Sequence, residues 1–349
     1  MLSAFTLLLL TASPEVALLS SSGSTGELRF QPIDAASPVA PVVRFSHAEG
    51  SPVLGTLLPS SRVVIATAVM KSEGDVSFAS ALLRLEAGRS ARVLADQVVY
   101  GSRPLVTSEG RVFVSRGRAG NGRPDEARTK SADESAGRVD QLTVDEIDPR
   151  TAKTRTIHST RGFFTFLVGA LGREVVIYEV TPTGSRLIAV HADSLGVRVI
   201  LENMKQLPAH DFVVDAPRKR VLFTQLTASP PNAVAPGGFG GSYAVREVIN
   251  GELRTLATGP EITLLPAVRA DGRVLISKGQ GLGLLSLDGS EGLPAQGTGF
   301  ERVSEREGFL IDLHERPSDF PSLLLFKGAQ KYVVSTPADS RLDVAGVIP

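Results

Sequence analysis

The residues able to do chemistry in this chain are few, and they gather before short apolar strands. His210-Asp211 immediately precedes one such strand, and Arg103, Arg161 and Glu301 precede others in the same way. Where strand starts converge on a channel, mixed charge of this kind holds a small polar or anionic ligand, or a charged segment of a partner protein. The expected binding set is therefore Arg103, Arg161, His210, Asp211 and Glu301.

Several other chemistries are excluded or disfavoured. The chain has no Cys, which removes disulfides, thiolate metal sites and a thiol nucleophile. A Gly-x-Ser-x-Gly nucleophile elbow is absent. His158, His210 and His314 could meet only by folding, and no two of the five His share a metal-ligand spacing, so no zinc or other metal is expected. The run from Gly237 to Gly241 leads into no helix and no Lys-Ser/Thr, and Gly279, Gly281 and Gly283 miss the dinucleotide spacing. No cofactor follows from either. Lys+Arg and Asp+Glu balance at 37 each, and 4 Tyr with no Trp offer no stacking platform, so nucleic acid is not an expected partner. Only eight of the 37 basic residues are Lys, a bias that reads as genome composition rather than phosphate recognition.

The elements that must position these residues repeat. A short apolar strand, a tight turn and a second strand starting near an Arg run from Leu105 to Ser115 and again from Pro266 to Ser277. Looser copies span 57–66, 166–178, 212–224 and 302–311. Second hairpins follow, turning at Glu86-Ala87-Gly88, Asn250-Gly251, Asp288-Gly289 and Lys327-Gly328. Asn-Gly and Asp-Gly favour hairpins because both central residues take positive φ. The anchors at 62, 111, 173, 220, 273 and 308 recur about every 50 residues, the length of a four-stranded sheet with its loops. The expected fold is all-β: a six-bladed β-propeller of four-stranded antiparallel blades. If Glu27–Phe30, Val42–Phe45 and Leu342–Val347 combine, a seventh blade is the alternative.

Asp271-Gly272-Arg273-Val274-Leu275-Ile276-Ser277, with Leu284 to Gly289 after it, resembles the WD40-like repeat of TolB-type bacterial propellers. The resemblance implies a fold, not a reaction. It also implies a periplasmic binding or scaffold role, in which a strand from the amino terminus closes the ring in some members. A non-catalytic binding propeller is thus expected ahead of a propeller hydrolase or lyase working at the channel mouth. The long links 68–76, 116–139 and 226–241 all join second to third strands, so they share one face, which is the expected working face.

Leu2 to Leu10 is apolar, of signal-peptide core length and too short to span a bilayer. Residues 1–25 are expected to be a leader and 26–349 the propeller, in a periplasmic or secreted protein rather than a cytoplasmic one. Mass spectrometry of the native protein should find the Leu2–Leu10 run removed. An intact Met1 in the cytoplasmic fraction would refute export.

Overall fold

The computed structural model describes residues 13–70, 78–118, 141–160, 164–181, 184–204, 209–228, 242–260, 262–278, 281–286, 289–292, 302–313, 323–328, 330–338 and 340–349. Among them are twenty-eight strands and no α-helix. The first three strands, β1 (Glu15–Ser22), β2 (Thr25–Pro32) and β3 (Val43–Ser46), share a sheet with the last, β28 (Arg341–Ile348), in the order β28-β1-β2-β3. An eight-stranded sheet follows. Its first half is β4 (Leu54–Leu57), β5 (Val63–Val69), β6 (Ser80–Glu86) and β7 (Arg92–Val98); its second is β8 (Leu105–Val106), β9 (Val112–Arg118), β10 (Gln141–Ile147) and β11 (Thr154–Thr160).

Four four-stranded sheets complete the chain, each built of consecutive antiparallel strands. They are β12 (Phe164–Leu171), β13 (Glu174–Thr181), β14 (Gly184–His191) and β15 (Val197–Met204); then β16 (Ala209–Asp215), β17 (Arg220–Ala228), β18 (Ser242–Ile249) and β19 (Glu252–Pro260). The last two are β20 (Ile262–Val268), β21 (Val274–Lys278), β22 (Gly281–Ser286) and β23 (Gly289–Gly292), and β24 (Arg302–Arg306), β25 (Phe309–Leu313), β26 (Leu323–Lys327) and β27 (Gln330–Val334).

Leading strands lie side by side: β28 against β4, β12 against β16, β16 against β20 and β20 against β24. Apolar clusters lie between successive sheets over much of the described chain. One holds Val176, Tyr178 and Leu187 against Val221, Phe223 and Val248, and another holds Leu222 and Val245 against Leu264 and Ile276. Val16 and Leu18 pack with Phe309, Ile311, Leu323 and Val344, so the first and last sheets also share a core. The sheets therefore form a ring, and the fold is an all-β propeller. Because each sheet is covered on both faces, its middle strands are apolar without alternation. All seven residues of β5, Val-Val-Ile-Ala-Thr-Ala-Val, are buried.

The expected turn chemistry is present at Asn250-Gly251, with φ of 51° and 81°, the pair of positive values that a two-residue hairpin of this type needs. The division at residue 25 requires correction. Val16 to Leu19 are buried in β1, which pairs with both β2 and β28, so the propeller takes in the chain from Glu15. The Leu2–Leu10 run lies outside the described residues. So do most of the three long links, which join β5 to β6, β9 to β10 and β17 to β18 in sequence.

Replacing Leu18 by Ala should destabilise the protein by roughly 2–5 kcal/mol, the range for truncating a fully buried Leu. Denaturant unfolding measures this. A loss below about 1 kcal/mol would mean the first and last sheets do not share a core.

Candidate functional site at the channel mouth

The leading strands start at the edge of the ring where the second strands of the sheets end, so residues at those starts ring one mouth of the channel. Arg103 sits just before β8, but it does not point freely into the mouth. Its guanidinium donates to both carboxylate oxygens of Asp343 on β28, at 2.9 Å to Oδ2, and to the Gly55 carbonyl on β4. The Gly55 N–H donates to the same Oδ2 at 2.9 Å. Asp343 is only 3% exposed, so this bidentate pair meets a charge that would otherwise be buried alone. Gly55 permits the approach, since a Cβ there would collide with Leu19 and Val64. Thr56 and Thr67 add hydroxyl bonds to the carbonyls of Pro104 (2.8 Å) and Ser102 (2.7 Å). Arg103 is thus a clasp across β28, β4 and the segment entering β8.

His210 and Asp211 do lie at the start of a leading strand, β16, where His210 pairs in register with Thr224. The ladder then slips between His210 and Val213, and Asp211 takes φ +54°, a left-handed conformation that Asp tolerates better than most residues. Arg161 and Glu301 lie outside the described residues, each just before a leading strand, β12 or β24. His314, the third member of the zinc set considered above, lies outside them as well.

An aromatic ladder that the repeat pattern does not announce also lies here. Phe164 and Phe166 open β12 and are 55% and 43% exposed, while Thr165 between them is 3% exposed. Their rings stack at 5.8 Å. From Phe166 the contacts continue to Tyr178 (6.1 Å), Phe212 (4.9 Å) and Phe223 (5.6 Å). The ladder runs from solvent at the mouth into the core between the β12–β15 and β16–β19 sheets. Phe212 follows directly on Asp211, so the exposed rings and the His-Asp pair belong to neighbouring strand starts. The signal was present in the alternation Phe164-Thr165-Phe166, but the period alone does not say which side is wet.

Between the eight-stranded sheet and β12–β15, the fully buried Glu179 accepts from His158 Nε2 and from Arg186 Nε at 2.6 Å. Burial alone would raise its carboxyl, but these two hydrogen bonds outweigh it and hold the group below the usual range. His158 is therefore taken up by its hydrogen bond to Glu179. His47 is buried and bonds the Ala48 carbonyl, and the His191 ring nitrogen accepts from the Asp193 and Ser194 amides at a turn. Among the described residues no three His, Asp or Glu side chains gather as metal ligands would.

A ring of antiparallel sheets closed by both chain ends, with its leading strands around a channel, places the chain among the β-propellers. It is similar to the propeller domain of the Trilobed protease from Pyrococcus furiosus, at 8% identity and a TM-score of 0.54, over 82% of this chain and 84% of that one. It is also similar to the acylaminoacyl peptidase of Pyrococcus horikoshii, at 12% identity and a TM-score of 0.57. There 90% of this chain aligns with 48% of the peptidase. TolB from Acinetobacter baumannii aligns with 96% of this chain, and 67% of its own length is covered, at 9% identity and a TM-score of 0.46. At these identities the likeness is one of fold. No family model matches the sequence, and no curated protein does. No helix among the described residues is long and apolar enough to cross a membrane.

Two outcomes follow from the ion pairs. Arg103→Ala should cost about 3 kcal/mol in denaturant unfolding, because it strands a buried Asp343; an unchanged midpoint would show the clasp to be idle. Glu179 has a folded pKa below its unfolded value of 4.5, so its stabilising effect is complete above that pH and fades as pH falls. Glu179→Gln should therefore be less stable than wild type at pH 7, and the gap should narrow below about pH 4.5. A gap that is constant with pH would contradict the ionised assignment.

Proposed function

We propose that the chain is a non-catalytic, exported binding propeller that takes a protein partner or small polar ligand at the long-loop face and channel mouth. The observation that carries this reading is the exposed Phe164–Phe166 pair at the start of β12, next to the strand start that bears His210 and Asp211. Exposed stacked rings at a concave mouth are costly to leave in water and are commonly sites of contact. Arg161, three residues before Phe164, and Glu301 complete the polar set. Arg103 leaves it, since its guanidinium is committed to Asp343.

We read the ring as seven blades. The eight-stranded sheet is joined between its halves by β7 and β9 at one paired position, Val98 with Arg116. An apolar cluster lies between the halves, with Ile65 and Leu82 against Val112 and Ile147, as between separate blades. A density map sectioned across the channel should show seven radial sheets, and six would overturn the count.

The second reading is a propeller enzyme, a hydrolase or lyase with its active site at this mouth. It calls for three or more titratable side chains within hydrogen-bond reach of one another there. The binding reading is tested by affinity capture from an extracytoplasmic extract. Arg161→Ala should weaken capture by roughly 1–3 kcal/mol, the effect of one lost charge-assisted hydrogen bond, with little change in stability. Unchanged capture by Arg161→Ala and by Phe166→Ala would move the site elsewhere.

A further inference from the structure

At the edge of the ring opposite the mouth, one link is out of scale with the rest. The others that join first to second or third to fourth strands run from two to six residues, whereas Ile33 to Val42, between β2 and β3, takes ten. β2 ends at Pro32 opposite Glu15, the residue that Arg62 reaches from the β4–β5 turn, so this link belongs with the tight turns. Its centre reads Ser37-Pro38-Val39-Ala40-Pro41. Each Pro fixes its own φ at about −65° and pushes the residue before it into extended backbone.

Buried side chains hold the one residue that the prolines leave free. The Val39 N–H donates to Gln31 Oε1 at 2.9 Å, and its carbonyl accepts from Arg29 Nε at 3.0 Å. Gln31 Nε2 also donates to the Ser37 carbonyl at 3.2 Å. Gln31 is fully buried and Arg29 nearly so. Upstream, the Ile33 N–H donates to the Pro14 carbonyl, and Ser335 Oγ donates to the Ala35 carbonyl. An extended proline segment has no hydrogen bonds of its own, and this one takes them from the sheet it crosses. Three residues complete a turn of the polyproline helix, which puts Pro38 and Pro41 on one edge. Pro38 and Ala40 are exposed, and Pro41 is half-buried. Three residues further on, Arg44 has 69% of its side chain exposed and shares Glu27 with Arg29. Such a surface pair contributes little, so this guanidinium can still meet a partner's carboxylate.

A ridge that is rigid before anything binds loses little chain entropy on docking. Two prolines one turn apart suit a groove lined by aromatic rings. We propose that Pro38 to Pro41 is a docking ridge for a partner protein whose groove is lined by aromatic rings and flanked by carboxylates. The ridge lies across the ring from the mouth and uses none of its residues, so the two proposals fail independently.

The chain has no Trp, so a tryptophan in the groove of a probe domain reports binding without interference. The whole protein is titrated into a panel of SH3, WW and EVH1 domains, and the tryptophan emission is followed. At least one SH3 domain, the class with carboxylates beside its groove, should respond. Pro38→Ala, Pro41→Ala and Arg44→Glu should each weaken that binding about tenfold or more. The two Pro variants should melt within about 4 °C of wild type, because a loop proline contributes little to stability. Silence from the whole panel, or undiminished binding by any of the three variants, would overturn the proposal. So would a wild-type dimer in sedimentation that Pro38→Ala dissociates, which would make the occupant a second copy of this chain.

Discussion

Closing a ring of sheets requires the two ends of the chain to meet in register, and here that meeting is the antiparallel pairing of β28 with β1. It runs from Glu15 opposite Ile348 to Ser21 opposite Arg341, with one slip near Ala17. Without it the first and last sheets would each present an apolar face and an unpaired edge to water, which invites association. With it, Val16, Leu18 and Val344 join the core of the last sheet, while Ala17, Leu19 and Ala345 join the core of the next. Asp343 extends the closure sideways to Gly55 and Arg103, so one carboxylate ties β28, β4 and the segment entering β8.

The charge that composition shows as balanced is deployed mostly in such ties. The arginines that begin second strands lock neighbouring sheets together on the tight-turn face. Arg62 reaches Glu15 and lies 4.3 Å over the ring of Phe30, and Arg111 reaches Glu146 and Asp193. Arg220 bridges Asp215 and Glu247 and donates onward to the Gly272 carbonyl in the next sheet. Gly272, at φ +93°, leaves room for the Arg218 side chain, which a Cβ would strike. Arginine's rigid multi-donor fork suits these three-way contacts, and the compact lysine ammonium does not. The excess of Arg over Lys, read from composition as a genomic bias, has a structural use at these positions.

The fold was legible because a propeller repeats local signals. Asp-Gly and Asn-Gly turns, an apolar strand on each side and an Arg at the second strand are all short-range features. What escaped were relations between distant residues. β1 follows a leucine-rich leader-like run, and only its partner at the opposite end of the chain shows it to be a buried strand. Arg103 looked available because its acceptor, Asp343, is 240 residues away. The exposure of Phe164 and Phe166 depends on what covers β12, which their alternation with Thr165 does not state. His210 and Asp211, expected just before a leading strand, lie within the first residues of β16; the roles of individual charges there depend on neighbours that the sequence does not rank.

The central claim is that the ring behaves as one cooperative unit held by its two ends. Hydrogen exchange under native conditions measures this directly at the amides of β1 and β28. The account predicts that Leu18 and Val344 exchange only with global unfolding, at the same free energy as buried positions of a middle sheet such as Ile177 and Phe223. Exchange of β28 at markedly lower free energy, with the middle sheets still protected, would show the closure to be a detachable strand and would contradict it.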